Sequence, residues 1–145
     1  MKALKNKAVI AFISMLLIIL SLSLYGCSHA FPYQGSFTGN WTGQLTILAR
    51  NIPVGGTISV TVDSKGVGTG TVSSTNGGAS SATMKAQVDS NGNLNGTVSF
   101  TLAGTTFNSN WQGKITGSGK SLGLQGTWTS DHGTGTFSGT GTSSK

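Results

Sequence analysis

Few residues in this 145-residue chain could do chemistry: it has one Cys, two His, three Asp and no Glu. Acid–base and nucleophilic catalysis need titratable groups gathered in one cleft. Ser130-Asp131-His132 has the residue types of a hydrolytic triad. Triads assemble by geometry across a fold, and three chain neighbours in a turn do not align, so this run reads as a solvated turn. A lone cysteine, Cys27, excludes an intrachain disulfide framework and a Cys-cluster zinc site. Asp63 and Asp89 each open a turn; calcium there would need several convergent oxygen ligands, and acids are too sparse. The expectation is a protein that is not an enzyme and carries no metal and no cofactor.

The remaining candidates are aromatic. Trp41, Trp111 and Trp128, with Phe37, Phe100, Phe107 and Phe137, recur at positions of one parity within alternating segments, and Ser109 shares that parity. Each large aromatic side chain buries about 150–250 Å². Trp41, Ser109, Trp111, Trp128 and Phe137 are therefore a candidate ligand pocket for a small apolar or cyclic molecule, because ligand sites are apolar with few polar groups. The alternative is that the same rings simply fill a core.

Strands must position these residues. From Ser36 onward the chain alternates with period two, the signature of half-buried strands. Phe37, Trp41, Leu45 and Ile47 share a face opposite Thr38, Asn40, Thr42, Gln44 and Thr46. Similar alternation recurs over 57–62, 82–88, 94–102, 107–115, 122–129 and 133–140, with a less regular run over 67–73, giving eight candidate strands. Dense Gly and Thr disfavour helices, and no helical stripe follows Cys27. Asp63-Ser64-Lys65-Gly66 and Asp89-Ser90-Asn91-Gly92 predict tight hairpin turns, with Gly at the left-handed position. They belong to a hairpin repeated at an offset of 26 residues. Asn76-Gly77-Gly78 and Gly117-Ser118-Gly119 mark further turns, and Asn51–Gly56 and Ser74–Ser81 read as loops.

Sequential short hairpins imply an antiparallel up-and-down order. Eight such strands can close into a barrel, which abolishes the aggregation-prone edges. The alternative is an open β-sandwich; only a barrel pairs the Phe37–Leu48 strand with the Gly133–Gly141 strand. The outward face of Thr, Ser, Asn, Gln and Lys suits water rather than lipid. Gly39-Asn40-Trp41 near the start and the late Trp- and Gly-rich strands resemble small meander barrels of the lipocalin and avidin-like kind. That resemblance implies the architecture and not a particular ligand.

The first thirty residues have a different composition. Lys2, Lys5 and Lys7 precede an apolar run over 8–24, and Leu24-Tyr25-Gly26-Cys27 follows. A basic start, an apolar core and a small residue before a cut site form a helical export signal. Leu24, Gly26 and Cys27 resemble the lipobox of bacterial lipoproteins, with Tyr25 in place of the usual small residue. The resemblance implies cleavage before Cys27, lipidation of Cys27 and its palmitate-type acylation, and hence membrane anchoring. Two or more acyl chains make such an anchor stable, at about 0.8 kcal/mol per buried CH₂. An uncleaved transmembrane anchor or an incidental cysteine are the alternatives, and both also export the rest of the chain. Ser28 is not the Asp that retains lipoproteins at the inner membrane. The implied location is the cell envelope: the outer membrane of a Gram-negative cell, or the outer face of the cytoplasmic membrane of a Gram-positive one.

The organisation expected is thus a signal peptide over 1–26, a lipidated tether over 27–35 and one β-barrel domain over 36–145. Beyond Cys27 there are six basic residues against three acids, thinly scattered, so there is no basic stripe for nucleic acid. Two functions of different class remain. One is a lipid-anchored envelope protein binding a small apolar ligand. The other is a structural or interaction lipoprotein with a filled core, meeting another envelope protein.

Overall fold

The period-two pattern carries directly into a sheet. The computed structural model describes residues 31–75, 80–102 and 105–144. The expected export signal, Cys27, Ser28, His29 and the expected turn at Asn76-Gly77-Gly78 lie outside the described residues. The strands are β1 (Gly35–Ile47), β2 (Arg50–Val62), β3 (Val67–Ser74), β4 (Ser80–Val88), β5 (Asn93–Leu102), β6 (Thr105–Ser118), β7 (Ser121–Ser130) and β8 (Gly133–Ser143). Each pairs antiparallel with its neighbour in sequence, and the eight close into a barrel. Closure is made by β1 and β8, in register from Gly35↔Ser143 to Leu45↔Gly133. That pairing establishes the barrel over the open sandwich.

One segment read as a loop is strand instead, and so are the described ends of another. Residues 51–56 continue β2 and pair with β1 from Thr46↔Asn51 to Trp41↔Gly56. Pro53 is tolerated for a positional reason. The Asp63 N–H and the Gly55 carbonyl bond on the β3 side of β2. Pro53 has the same parity, so its missing N–H is on the side away from β1 and costs that ladder nothing. Ser74, Ser80 and Ser81 likewise belong to β3 and β4, paired as Ser74↔Ser80 and Ser73↔Ser81.

The barrel has two unlike ends. Its base carries both ends of the described chain and the β2–β3, β4–β5 and β6–β7 turns. Its rim carries the other hairpins. The first and second of these base turns repeat one device. The Asp63 carboxylate accepts the N–H of Lys65 (2.8 Å) and of Val67 (2.9 Å). The Asp89 carboxylate accepts the N–H of Asn91 (2.9 Å) and of Asn93 (2.8 Å), and the Asn93 side-chain amide at 2.7 Å. Gly66 and Gly92 close these turns at φ +79° and +83°, a conformation only glycine enters without strain. This is the structural meaning of the 26-residue echo.

Residues 31–34 were expected to be plain tether. They form a cap on the base. Phe31 and Tyr33 pack edge to face with ring centroids 5.9 Å apart, and both are half-buried against the core. Phe31 lies beside Gly66 and Tyr33 beside Gly92, where a Cβ on either glycine would press on the ring. The apolar pair covers the mouth that the turns leave between them.

The Asn93 backbone N–H, and then its side-chain amide, hold the Asp89 carboxyl below the usual carboxylate range. A depressed folded-state pKa gives stability that is complete above the unfolded value of about 3.9 and is lost as pH falls through the folded value. The urea midpoint of Asp89→Ala should therefore lie below wild type by a constant margin from pH 7 to about pH 4. The margin should shrink at lower pH. A pH-independent margin would show that the charged turn is not its source.

Candidate functional site

The sequence singled out Trp41, Ser109, Trp111, Trp128 and Phe137, and the barrel brings all five together. Trp41 comes from β1, Ser109 and Trp111 from β6, Trp128 from β7 and Phe137 from β8. Trp111 pairs with Trp128, and Trp41 with Phe137. All five are buried. Trp41 meets Trp128 at 5.8 Å and 85°, and Trp111 at 6.1 Å and 73°. Trp111 and Trp128 are offset-stacked at 6.2 Å and 22°. Phe137 lies 5.0 Å from Trp111. Edge-to-face and offset-stacked geometries at such distances are the favourable ones for the ring quadrupole.

The inner wall is shaped to the rings. Along one inner row run Trp111, Trp128, Gly135, Gly43 and Val54; along the next run Gly113, Gly126, Phe137, Trp41 and Gly56. Each strand thus places a side chain in one row and a glycine in the other. A Cβ on Gly43 or Gly135 would fall within the Trp128 indole, and one on Gly126 within the Phe137 ring. The rings lie against bare backbone, a packing known to compensate for glycine in sheets.

The polar atoms of the cluster are engaged. Trp41 Nε1–H donates to the Ser73 carbonyl at 3.1 Å. Trp128 Nε1–H donates to the Thr42 carbonyl at 3.1 Å. Trp111 Nε1–H donates to Ser109 Oγ at 2.8 Å, and Ser109 Oγ–H donates to the Val98 carbonyl at 3.2 Å. An aromatic cluster inside a β-barrel is chemically suited to ligand binding. Here its hydrogen-bonding capacity is spent on the protein.

Above the cluster, toward the rim, Phe100 and Phe107 stack at 5.5 Å, and Phe100 reaches Trp41 at 6.4 Å. The His132 imidazole stands edge-on to Phe107 at 5.3 Å. The Ser130 hydroxyl donates to the Gly133 carbonyl and accepts the His132 backbone N–H, the geometry of a turn. Among the described residues no group of His, Cys, Asp and Glu converges as a metal site. The concavities of the outer wall are open grooves, one of them lined by Asn40, Thr42, Gln112, Lys114, Gln125 and Thr127.

Two inward hydroxyls were missed by ending one strand at Ser73 and beginning the next at Ala82. Ser74 is buried, and Ser80 Oγ is buried without a hydrogen-bond partner among the described residues. Parity was the available signal: Val72 and Ser74 share a face, as do Ser80, Ala82 and Met84. No protein-family model matches the chain, and no curated protein is similar to it in sequence.

Two changes test the packing. Trp128→Ala removes a large ring that its neighbours cannot replace and should cost about 3–5 kcal/mol. Ser109→Ala leaves a buried indole N–H unpaired and should cost about 1–3 kcal/mol. Urea denaturation of each variant measures both; a near-neutral Ser109→Ala would mean that the Trp111 donor finds water instead.

Proposed function

We propose that the protein is an exported envelope lipoprotein, anchored by lipid on Cys27, whose barrel is a filled and non-catalytic scaffold that engages another envelope component from its outside. The observation that carries this reading is the closed hydrogen bonding of the aromatic cluster. Three indole donors and the Ser109 hydroxyl already have protein partners, and the rings rest on inner-wall glycine. A ligand entering there would have to displace interactions that it cannot all replace. The outer wall supports the same reading. Strands β1, β3, β5, β7 and β8 carry no charged residue, so hydroxyls and amides make up most of the exposed surface.

The second reading, an interior site for a small apolar or cyclic ligand, is favoured by the convergence of Trp41, Ser109, Trp111, Trp128 and Phe137. It requires the indoles to separate. Both readings share the anchor. The lipobox-like Leu24-Tyr25-Gly26-Cys27 supports it, as does the cap, which leaves three residues between Cys27 and Phe31.

Tryptophan fluorescence separates the two. A filled barrel gives blue-shifted emission that a panel of apolar ligands, lipids and glycans leaves unchanged. A saturable change would favour the interior site. Labelled palmitate should enter the wild-type protein and not Cys27→Ser; undiminished labelling would overturn the anchor.

A further inference from the structure

Closure of the barrel is uneven. The ladder between β4 and β5 runs only from Met84↔Val98 to Val88↔Leu94, five pairs, fewer than any other ladder in the barrel. Above it both strands continue. Ser80–Thr83 remain paired with β3, and Ser99–Leu102 with β6. The rim half of this seam is thus two ordered strand edges that do not bond each other.

Parity identifies the backbone groups involved. The Val88 N–H bonds on the β3 side, to the Gly66 carbonyl, and the Asn93 carbonyl accepts on the β4 side, from Asp89. In β4 the odd residues therefore face the seam, and in β5 the odd residues do so too. Ser81 and Thr101 each direct one N–H and one C=O into it, three residues beyond the last pair. Exposed, unpaired edges of this kind template further strand pairing, and proteins blunt them with charge or proline. The contrast within this chain is informative. The Arg50–Val54 end of β2 also extends past its β3 ladder, and it carries Arg50 and Pro53. The seam edges carry Ser81, Thr83, Ser99 and Thr101, with neither device.

The inner side of the seam carries small side chains and one unmet bond. Ala82 is small, Phe100 is half-buried, and Ser80 Oγ is buried without a partner among the described residues. Buried polar groups are paired in the great majority of proteins, so an orphan beside an unpaired edge marks a place where a partner group is missing.

We propose that the rim half of the β4–β5 seam is a strand-addition site for an extended, uncharged polypeptide segment of another envelope protein. Only a polypeptide backbone presents alternating donors and acceptors at the strand repeat that Ser81 offers. The incoming strand runs antiparallel to β4 and bonds the Ser81 N–H and C=O. A small side chain faces Ala82, and a hydroxyl or amide faces Ser80 Oγ. Uncharged edges select an uncharged segment, because a charged residue there would be desolvated without a counter-charge. This deepens the interaction reading above by naming the surface and the partner class.

The test uses the fluorescein-labelled peptide Thr-Val-Thr-Ser-Thr-Val-Thr and the full chain in detergent. Binding should be saturable by anisotropy. Ser81→Pro removes a seam-facing N–H that the fold does not use, so circular dichroism and melting should be unchanged while affinity falls at least tenfold. Ala82→Pro, whose N–H faces β3, should instead unfold the sheet. Hydrogen exchange on the wild-type protein is independent of any variant. The Ser81 and Thr101 amides should exchange freely alone and slow at least tenfold with peptide bound. Protection of both amides in the free protein, or equal peptide affinity in Ser81→Pro, would overturn the proposal. So would self-association that Ser81→Pro abolishes, since a second copy would then fill the seam. None of these readouts depends on whether the aromatic interior is filled, so failure here is distinguishable from failure of the scaffold reading.

Discussion

The contact on which the barrel depends is between aromatic ring and bare backbone. An eight-stranded barrel encloses little more space than its own side chains need. Three indoles and a phenyl ring at one level would exceed that space if every inward position carried a Cβ. Gly43 and Gly135 beneath Trp128, and Gly126 beneath Phe137, remove the excess where the rings lie. Burial of the rings stabilises the sheet, and the glycines allow the burial. Neither set makes sense without the other, which is why a chain with 23 glycines still buries its large aromatic rings.

Most of the architecture was legible from parity alone. The eight strands, their antiparallel order and the convergence of Trp41, Ser109, Trp111, Trp128 and Phe137 follow from a period of two and from turn chemistry at Asp63 and Asp89. The errors share a cause. Pro53 with Gly55 and Gly56, and Ser74, Ser80 and Ser81, have the composition of loops. What makes them strands is the neighbour each one has or lacks. Pro53 sits where its N–H has no ladder to join, a fact of register that composition does not carry. The cap was obscured in a similar way, because Phe31 and Tyr33 precede any alternation and gain meaning only from the turns at Gly66 and Gly92. Whether the aromatic cluster was hollow or filled lay beyond parity altogether. Where the indole N–H groups point bears on that question.

Charge is placed as economically as ring volume. The acids sit in turns, where Asp63 and Asp89 bond backbone N–H groups, and Lys114 reaches Asn93 beside one of them at 3.1 Å. The walls are left to Thr, Ser, Asn and Gln. Such a surface meets water through hydroxyls and amides, with little long-range field to steer or repel a partner. Recognition on it must come from short-range shape and hydrogen bonding. At the seam between β4 and β5 the unpaired backbone edges are guarded by neither charge nor proline.

The joining of β1 to β8 also has a kinetic meaning. The first and last strands hold each other, so the ladder that closes the barrel joins residues about a hundred positions apart in the chain. Contacts this distant in sequence are slow to form, since the loop-closure entropy is lost before they stabilise anything. While the chain is being synthesised, β1 has no β8 to meet and Trp41 has no Phe137. The barrel cannot close until β8 has been made, so through most of synthesis β1 is left with β2 as its one possible partner.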